Sequence, residues 1–351
     1  MPRGLARAAA YLPQYTDGAR RIGAPDEDGF TFAATAVELA LDGRRHDPRE
    51  AVVRPLGTIA AIDASTFAAL LGVAVRLEGP VPGASVAETL RRAEAGPAPQ
   101  WVLVSVGGER RAGAAVSPAP GEGAVALLFD DAPDAVPVDA GPSELGADGP
   151  VSSLAPLVAL GARANDARWI GDWRSEAADG AGPTAPLAAP APAGDGVSQG
   201  AFVPAARYEE SRRSRWRLEA DRCRACGVRT FPARGRCRRC GATEHLTPEQ
   251  LPRDGWTVVA STWIGPGGQP TEFDAQVGST GPYGVVLAEL APDARATLQV
   301  AAGPWSRLGV GARVDTRLRR LYPIEGAWRY GRKAVPAGAT ASGDRSPQRA
   351  G

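Results

Sequence analysis

All four cysteines of the chain fall within nineteen residues, CRACGVRTFPARGRCRRCG, spanning 223–241. Cys223 and Cys226 form one C-x2-C pair, Cys237 and Cys240 form a second, and ten residues part them. Each pair is followed by a glycine, Gly227 and Gly241, which can take the positive φ of the tight turn that aims two thiolates at one ion. In a reducing compartment, paired thiols at this spacing point to metal rather than to disulfides. Four thiolates make a closed tetrahedral shell, which suits a structural zinc and leaves no open position for a catalytic water. Iron is the alternative metal, and a redox dithiol the alternative chemistry. The loop between the pairs is shorter than in long zinc ribbons, so the spacing predicts a compact rubredoxin-like ribbon. Such a module is too small for a core of its own and needs the metal as a staple.

The compartment follows from what the chain lacks. The opening MPRGLARAAAYLPQYTDG has no apolar run of signal-peptide length, and no stretch of roughly 18 apolar residues could span a bilayer. The expectation is a cytoplasmic protein with no membrane partner. A net charge of +1 argues against a strong general attraction to polyanions. Of the 40 basic residues only Lys333 is lysine, a bias that discounts arginine clusters. Residues 207–240 hold twelve arginines and four acids, and read either as a phosphate-binding face or as a solvated surface enriched by that bias.

With 351 residues the chain is long enough for two or more domains, and it divides visibly. The stretch SEAADGAGPTAPLAAPAPAGDGVSQG has almost no large apolar residue to offset chain entropy, which predicts a linker over 175–203. A disordered tail is expected over 338–351. After the cysteines, GWTVVASTWI (255–264), YGVVLAEL (283–290), ATLQVAA (296–302), ARVDTRLRRL (312–321) and GAWRYGRKAVP (326–336) read as five strands parted by Gly/Pro turns. That count suits a small barrel of OB type over 246–337, with a sandwich as the alternative. Residues 204–220 read as helix leading into the ribbon, so helix and ribbon together occupy 204–245.

The segments RWRLEADRCRACG, FPARGRCRRCG, LPRDGWTVVASTW, YGVVLAEL, LGVGARVDTRL and RYGRKAVP, in this order over 204–337, resemble the zinc-ribbon/OB-fold proteins associated with acyl-CoA enzymes. The resemblance implies a non-catalytic subunit that docks to a thiolase-type or lipid-transfer-like enzyme, or to an acyl-CoA hydratase, and helps hold or pass the CoA thioester.

The first half, expected as one α/β domain over 1–174, alternates strand-like and helix-like stretches. They are AYLPQY (10–15), GAPDEDGFTFAATAVELAL (23–41), PGASVAETLRRAEA (82–95), QWVLVSVGG (100–108) and GEGAVALLFDD (121–131). Asp26, Glu27 and Asp28 precede a helix whose Phe30, Val37 and Leu41 share a face. Residues 8–135 resemble the N-terminal half of a thiolase-fold enzyme of the hydroxymethylglutaryl-CoA-synthase-like branch. That fold needs a cysteine nucleophile at a helix N-terminus. The matching stretch here, Pro82 to Ser85, has none, and Ser85 with Glu88 reads as a capping box rather than a replacement nucleophile. The only histidines, His46 and His245, read as surface residues, and no second thiolase repeat follows. The expectation is a truncated thiolase-like domain with no catalytic residues.

A CoA ester needs guanidinium forks for its phosphates and aromatic or apolar walls for the rest. Candidate contacts are Arg234, Arg236 and Arg238 on the ribbon and Trp263, Tyr283 and Trp305 on the barrel. Two other functions stay open. One is nucleic-acid binding, with Trp256, Trp263, Tyr283 and Trp305 stacking bases, against which the charge stands. The other is an active acyltransferase using Ser85.

Overall fold

The computed structural model describes residues 3–11, 15–17, 20–22, 26–41, 50–79, 85–97, 99–106, 123–132, 135–138, 154, 157, 160–161, 163–164, 166–170, 205–265, 267–269, 273–274, 277, 281–302, 308–324 and 327–337. The expected linker, the expected tail, His46, Pro82 and Trp305 lie outside the described residues. The chain forms two compact units, Met1–Ala185 with Thr340–Gly351, and Pro186–Ala339.

The N-terminal unit is α/β. Its strands are β1 (Arg3–Tyr11), β2 (Tyr15–Asp17), β3 (Arg20–Ile22), β4 (Ala51–Gly57), β5 (Val75–Leu77), β6 (Gln100–Val106), β7 (Gly123–Asp131) and β8 (Asp166–Ile170), and its helices α1 (Gly29–Leu41), α2 (Ala64–Leu71) and α3 (Val86–Ala95). Six strands form one mixed sheet in the order β5-β4-β6-β7-β1-β8, and β2 pairs with β3 apart from it. β7 runs antiparallel to both neighbours, β6 and β1, while β4, β5 and β6 are parallel.

α1 departs from the amphipathic pattern expected of it. Every residue but Leu39 is buried, so Phe30, Val37 and Leu41 are not one apolar stripe but part of a helix enclosed on nearly all sides. Its start is capped as the acidic run suggested. Asp28 Oδ1 accepts from the Thr31 N–H at 2.9 Å, and the Asp28 N–H donates to Thr31 Oγ1 at 2.8 Å. Asp26 and Glu27 are buried, and the Tyr11 hydroxyl on β1 donates to Glu27 Oε1. On the other face of the unit, Leu90 and Ala93 of α3 pack with Leu56, Val102, Val104 and Leu127 of the sheet.

In the C-terminal unit, α4 (Ala205–Arg217) leads to a three-stranded sheet ordered β10-β9-β11, with β9 (Glu219–Cys223), β10 (Arg229–Thr230) and β11 (Leu246–Gln250). The five expected strands follow as β12 (Trp256–Ile264), β13 (Tyr283–Ala291), β14 (Ala294–Val300), β15 (Arg313–Ile324) and β16 (Ala327–Pro336), and they form a closed barrel rather than a sandwich. Its order is β12-β13-β14-β16-β15, with β14 parallel to β16 and β15 returning to β12. Alternating residues fill it: Trp256, Val258, Val286, Ala288, Leu298, Val300, Val314 and Ala334 are all buried, and Leu218 and Leu251 join them from below the first strand. α4 lies on the last strand. The Tyr208 hydroxyl donates to the Tyr330 carbonyl at 3.0 Å and accepts from its N–H at 2.8 Å, and Trp216 Nε1 donates to the same carbonyl at 3.1 Å. Arg332 Nε caps the end of α4 by donating to the Trp216 carbonyl at 2.7 Å.

Candidate metal centre

The two C-x2-C turns meet at one end of the small sheet. Gly227 N–H closes the first turn on the Cys223 carbonyl at 2.8 Å, and Gly241 N–H the second on the Cys237 carbonyl at 3.0 Å, with φ of 71° and 74° at the two glycines. The four Sγ atoms lie within 4.8 Å of one another. Cys223 and Cys240 sulfurs are 3.7 Å apart, and those of Cys226 and Cys237 3.5 Å. A tetrahedron with Zn–S bonds of about 2.3 Å has edges of about 3.8 Å, so the sulfurs already outline a zinc thiolate shell. Among the described residues no other group of His, Cys, Asp or Glu side chains is placed to hold a metal.

The site favours thiolate unevenly before any ion adds its charge. The Cys240 and Arg239 N–H groups hold the Cys237 thiol down to about 6. For Cys226 the Val228 N–H acts in the same sense, but burial and the three neighbouring thiols push it up to about 12. A bound divalent ion would deprotonate both.

Backbone donors outside the ligand set fix the loop between the pairs. The buried Asp221 carboxylate on β9 accepts from the Arg234 and Gly235 N–H groups through Oδ2, both at 2.9 Å, and Thr230 Oγ1 accepts from the Arg238 N–H at 3.1 Å. Arg229 on β10 spans from the ribbon to the barrel, donating to Glu249 at 2.6 Å and to Asp293, in the turn between β13 and β14, at 2.8 Å. Sequence reading missed Asp221 and Arg229; the only trace is an acid two residues before the first cysteine, within EADRC. His245 is exposed, and among the described residues its carbonyl accepts from the Arg224 N–H.

Among the described candidate CoA contacts, Trp263 and Tyr283 do not share one wall. Trp263 and Tyr283 occupy adjacent rungs of the β12–β13 ladder, Trp263 opposite Gly284 and Tyr283 opposite Ile264, so they point to opposite faces. Trp263 is 36% exposed, whereas Tyr283 is buried against Phe273, which in turn meets Tyr322 edge-on. Arg234, Arg236 and Arg238 are exposed on the ribbon loops. In the N-terminal unit, Ser85 is the cap of α3: its Oγ accepts from the Glu88 N–H at 3.2 Å. The reciprocal half of a capping box is missing, because the Glu88 carboxylate turns to Arg91 and Arg92 instead.

Residues 213–245 match the family model described as ChsH2, rubredoxin-like zinc ribbon domain, which places the four cysteines in a zinc ribbon. No curated protein matches the chain. Among solved structures, one described as Ltp2-ChsH2(DUF35) aldolase is similar at 19% identity over 36% of this chain and 90% of that one, with a TM-score of 0.27. A DUF35-family protein of unknown function from Sulfolobus solfataricus matches at 18% identity over 33% of this chain and 73% of its own, with a TM-score of 0.22. The structure described as MvaS in complex with 3-hydroxy-3-methylglutaryl coenzyme A matches at 23% identity over 38% of this chain, with a TM-score of 0.29, and the match spans only 41% of that protein's length.

Proposed function

We propose that this chain is a non-catalytic subunit of an acyl-CoA-processing assembly, docking to a thiolase-type enzyme and helping to hold or pass its CoA thioester. One observation carries the reading. The helix start at which a condensing enzyme would present a thiolate carries Ser85, whose oxygen is engaged as a helix cap, while every cysteine of the chain sits in the zinc ribbon. A serine without a base is a poor nucleophile, and the one histidine of residues 1–185, His46, reads from the sequence as a surface residue. The ribbon match supports the resemblance drawn from the sequence, and that resemblance implies an adaptor beside a thiolase-type, lipid-transfer-like or hydratase partner. The closed barrel, read as OB type, is the proposed seat of the thioester, with the half-exposed Trp263 as its apolar contact.

The test pairs two measurements on the full chain. Incubation with labelled acetyl-CoA followed by intact-mass measurement is expected to show no adduct and no turnover. Calorimetric titration with a long-chain acyl-CoA, for the chain alone and mixed with a thiolase-type enzyme, is expected to give saturable binding weakened by Trp263→Ala. An acyl adduct mapping to Ser85 overturns the non-catalytic reading. Absence of binding in both mixtures overturns the thioester seat.

A further inference from the structure

The near-neutral total charge is the sum of two opposed halves. Residues 1–185 carry 16 basic and 24 acidic side chains, whereas residues 186–339, the C-terminal unit, carry 22 basic and 14 acidic ones. The C-terminal unit is therefore a strongly basic body, which the whole-chain figure conceals.

Its arginines fall into two classes. Those beneath the ribbon are matched with acids: Arg213 and Arg217 with Glu219, Arg222 with Glu249, and Arg229 with Glu249 and Asp293. Those on the loops that carry the four sulfurs are different. Arg224, Arg234, Arg236, Arg238 and Arg239 are all exposed, and among the described residues none of their guanidinium groups has an acid, a hydroxyl or a ring as partner. Glu244 is the only acid between Arg224 and His245. A coding bias toward arginine explains how many there are, but not why five unpaired ones gather on the knuckle loops, whereas on α4 Arg215 alone is exposed without an acid partner among the described residues.

We infer that the zinc end of the C-terminal unit is a docking surface for an acidic protein face. This deepens the subunit reading by naming the surface that meets the partner, and it rests on that reading only for the partner being a protein. Hydrogen bonds from the loop backbone to Asp221 and Thr230 hold the loop that carries Arg234 to Arg239, so its ordering is complete before a partner arrives. A free nucleotide is a poorer fit, because such ligands occupy concave sites with apolar walls, and these five side chains project from exposed turns. A nucleic-acid strand is also a poorer fit. Single strands stack their bases on exposed aromatic platforms, and the only aromatic residue of the knuckle segment, Phe231, is packed against Trp256 of the barrel.

The experiment compares three fluorescent probes, a twenty-residue poly-glutamate peptide, a twenty-nucleotide oligothymidylate and CoA, by anisotropy with the full chain at about 50 and 200 mM salt. Arg236→Glu/Arg238→Glu reverses charge at the knuckles, and Arg207→Glu/Arg215→Glu makes the same change on α4. Zinc content and melting temperature are checked for each. Peptide binding is expected to fall at least tenfold in the knuckle variant, to stay within twofold in the α4 variant, and to weaken with salt. Equal loss in both variants, no peptide binding by the parent chain, tighter binding of the oligothymidylate, or CoA as the only probe lost in the knuckle variant each overturns the inference. Acyl-CoA turnover by the isolated chain would defeat the subunit reading and leaves this binding result to be judged separately.

Discussion

The ring of Phe231, between the two cysteine pairs, lies 6.1 Å from that of Trp256, the fully buried first residue of the barrel. The metal loop therefore supplies part of the barrel's own hydrophobic wall. Removing zinc with a chelator, or replacing Cys237 with serine, is expected to lower the melting temperature of the barrel and not only to loosen the ribbon. Loss of the Phe231 contact alone corresponds to about 1–3 kcal/mol. Near-UV circular dichroism with metal analysis checks this, and a metal-free chain with an unchanged transition would refute it.

Acid should uncouple the same junction. Arg229 and Arg222 hold the Glu249 carboxyl below its usual value of 4.5. Burial would raise Glu219, yet Arg217 and Arg213 bring it below its usual value as well. A depressed folded-state carboxyl contributes stability that is fully present above about pH 5 and is lost as pH falls through its folded value. Melting temperature is expected to decline below that point, partly through proton competition for the thiolates. Glu249→Gln should be less stable at pH 7 and show a shallower decline. Parallel curves for the two proteins would remove Glu249 from the acid sensitivity and leave it to Glu219 and the metal.

Among the described residues, Ser85→Ala removes one side-chain contact, the cap on α3. The expected cost is about 1 kcal/mol in the N-terminal unit, read by chemical denaturation, with acyl-CoA binding by the chain unchanged. A loss of binding without loss of stability would give Ser85 a role beyond capping.

Gly57 ends β4 with φ of 72°, and a Cβ there would stand 2.0 Å from the Ser105 carbonyl oxygen on the neighbouring strand. Gly57→Ala combines a left-handed backbone with a backbone clash. We expect a destabilisation of roughly 3 kcal/mol or failure to accumulate as folded protein. A variant that melts as the parent does would show that the strand end can move aside.

The legible parts of the chain were those whose signals are local. Cysteine spacing and period-two alternation located the ribbon and all five barrel strands, because each of those elements must satisfy its own backbone geometry. β4 was missed because AVVRPLG carries a buried arginine and a proline in mid-strand. The proline is tolerated because β5 pairs only with Ala51–Val53, so the position of its absent N–H lies past the end of that neighbour. Arg54 is accommodated by an ion pair with Glu78. That pair, like Arg229 with Asp293, joins residues far apart in sequence and leaves no periodic trace. The facing of Trp263 and Tyr283 depends on strand register, which single-strand patterns do not specify.

The contacts of Tyr208 and Trp216 with Tyr330 join the first helix of the C-terminal unit to its final strand. A ribosome releases these partners in the least convenient order: α4 emerges with nothing to lie on, and the strand that receives it is the last of the barrel to be made. The cysteines, by contrast, are complete while most of the barrel is still unwritten. Metal capture can thus precede closure and hold Phe231 ready for Trp256, whereas the unit as a whole locks only when its two extremities meet. A chain cut short before β16 would keep its zinc and lose the closure of its barrel.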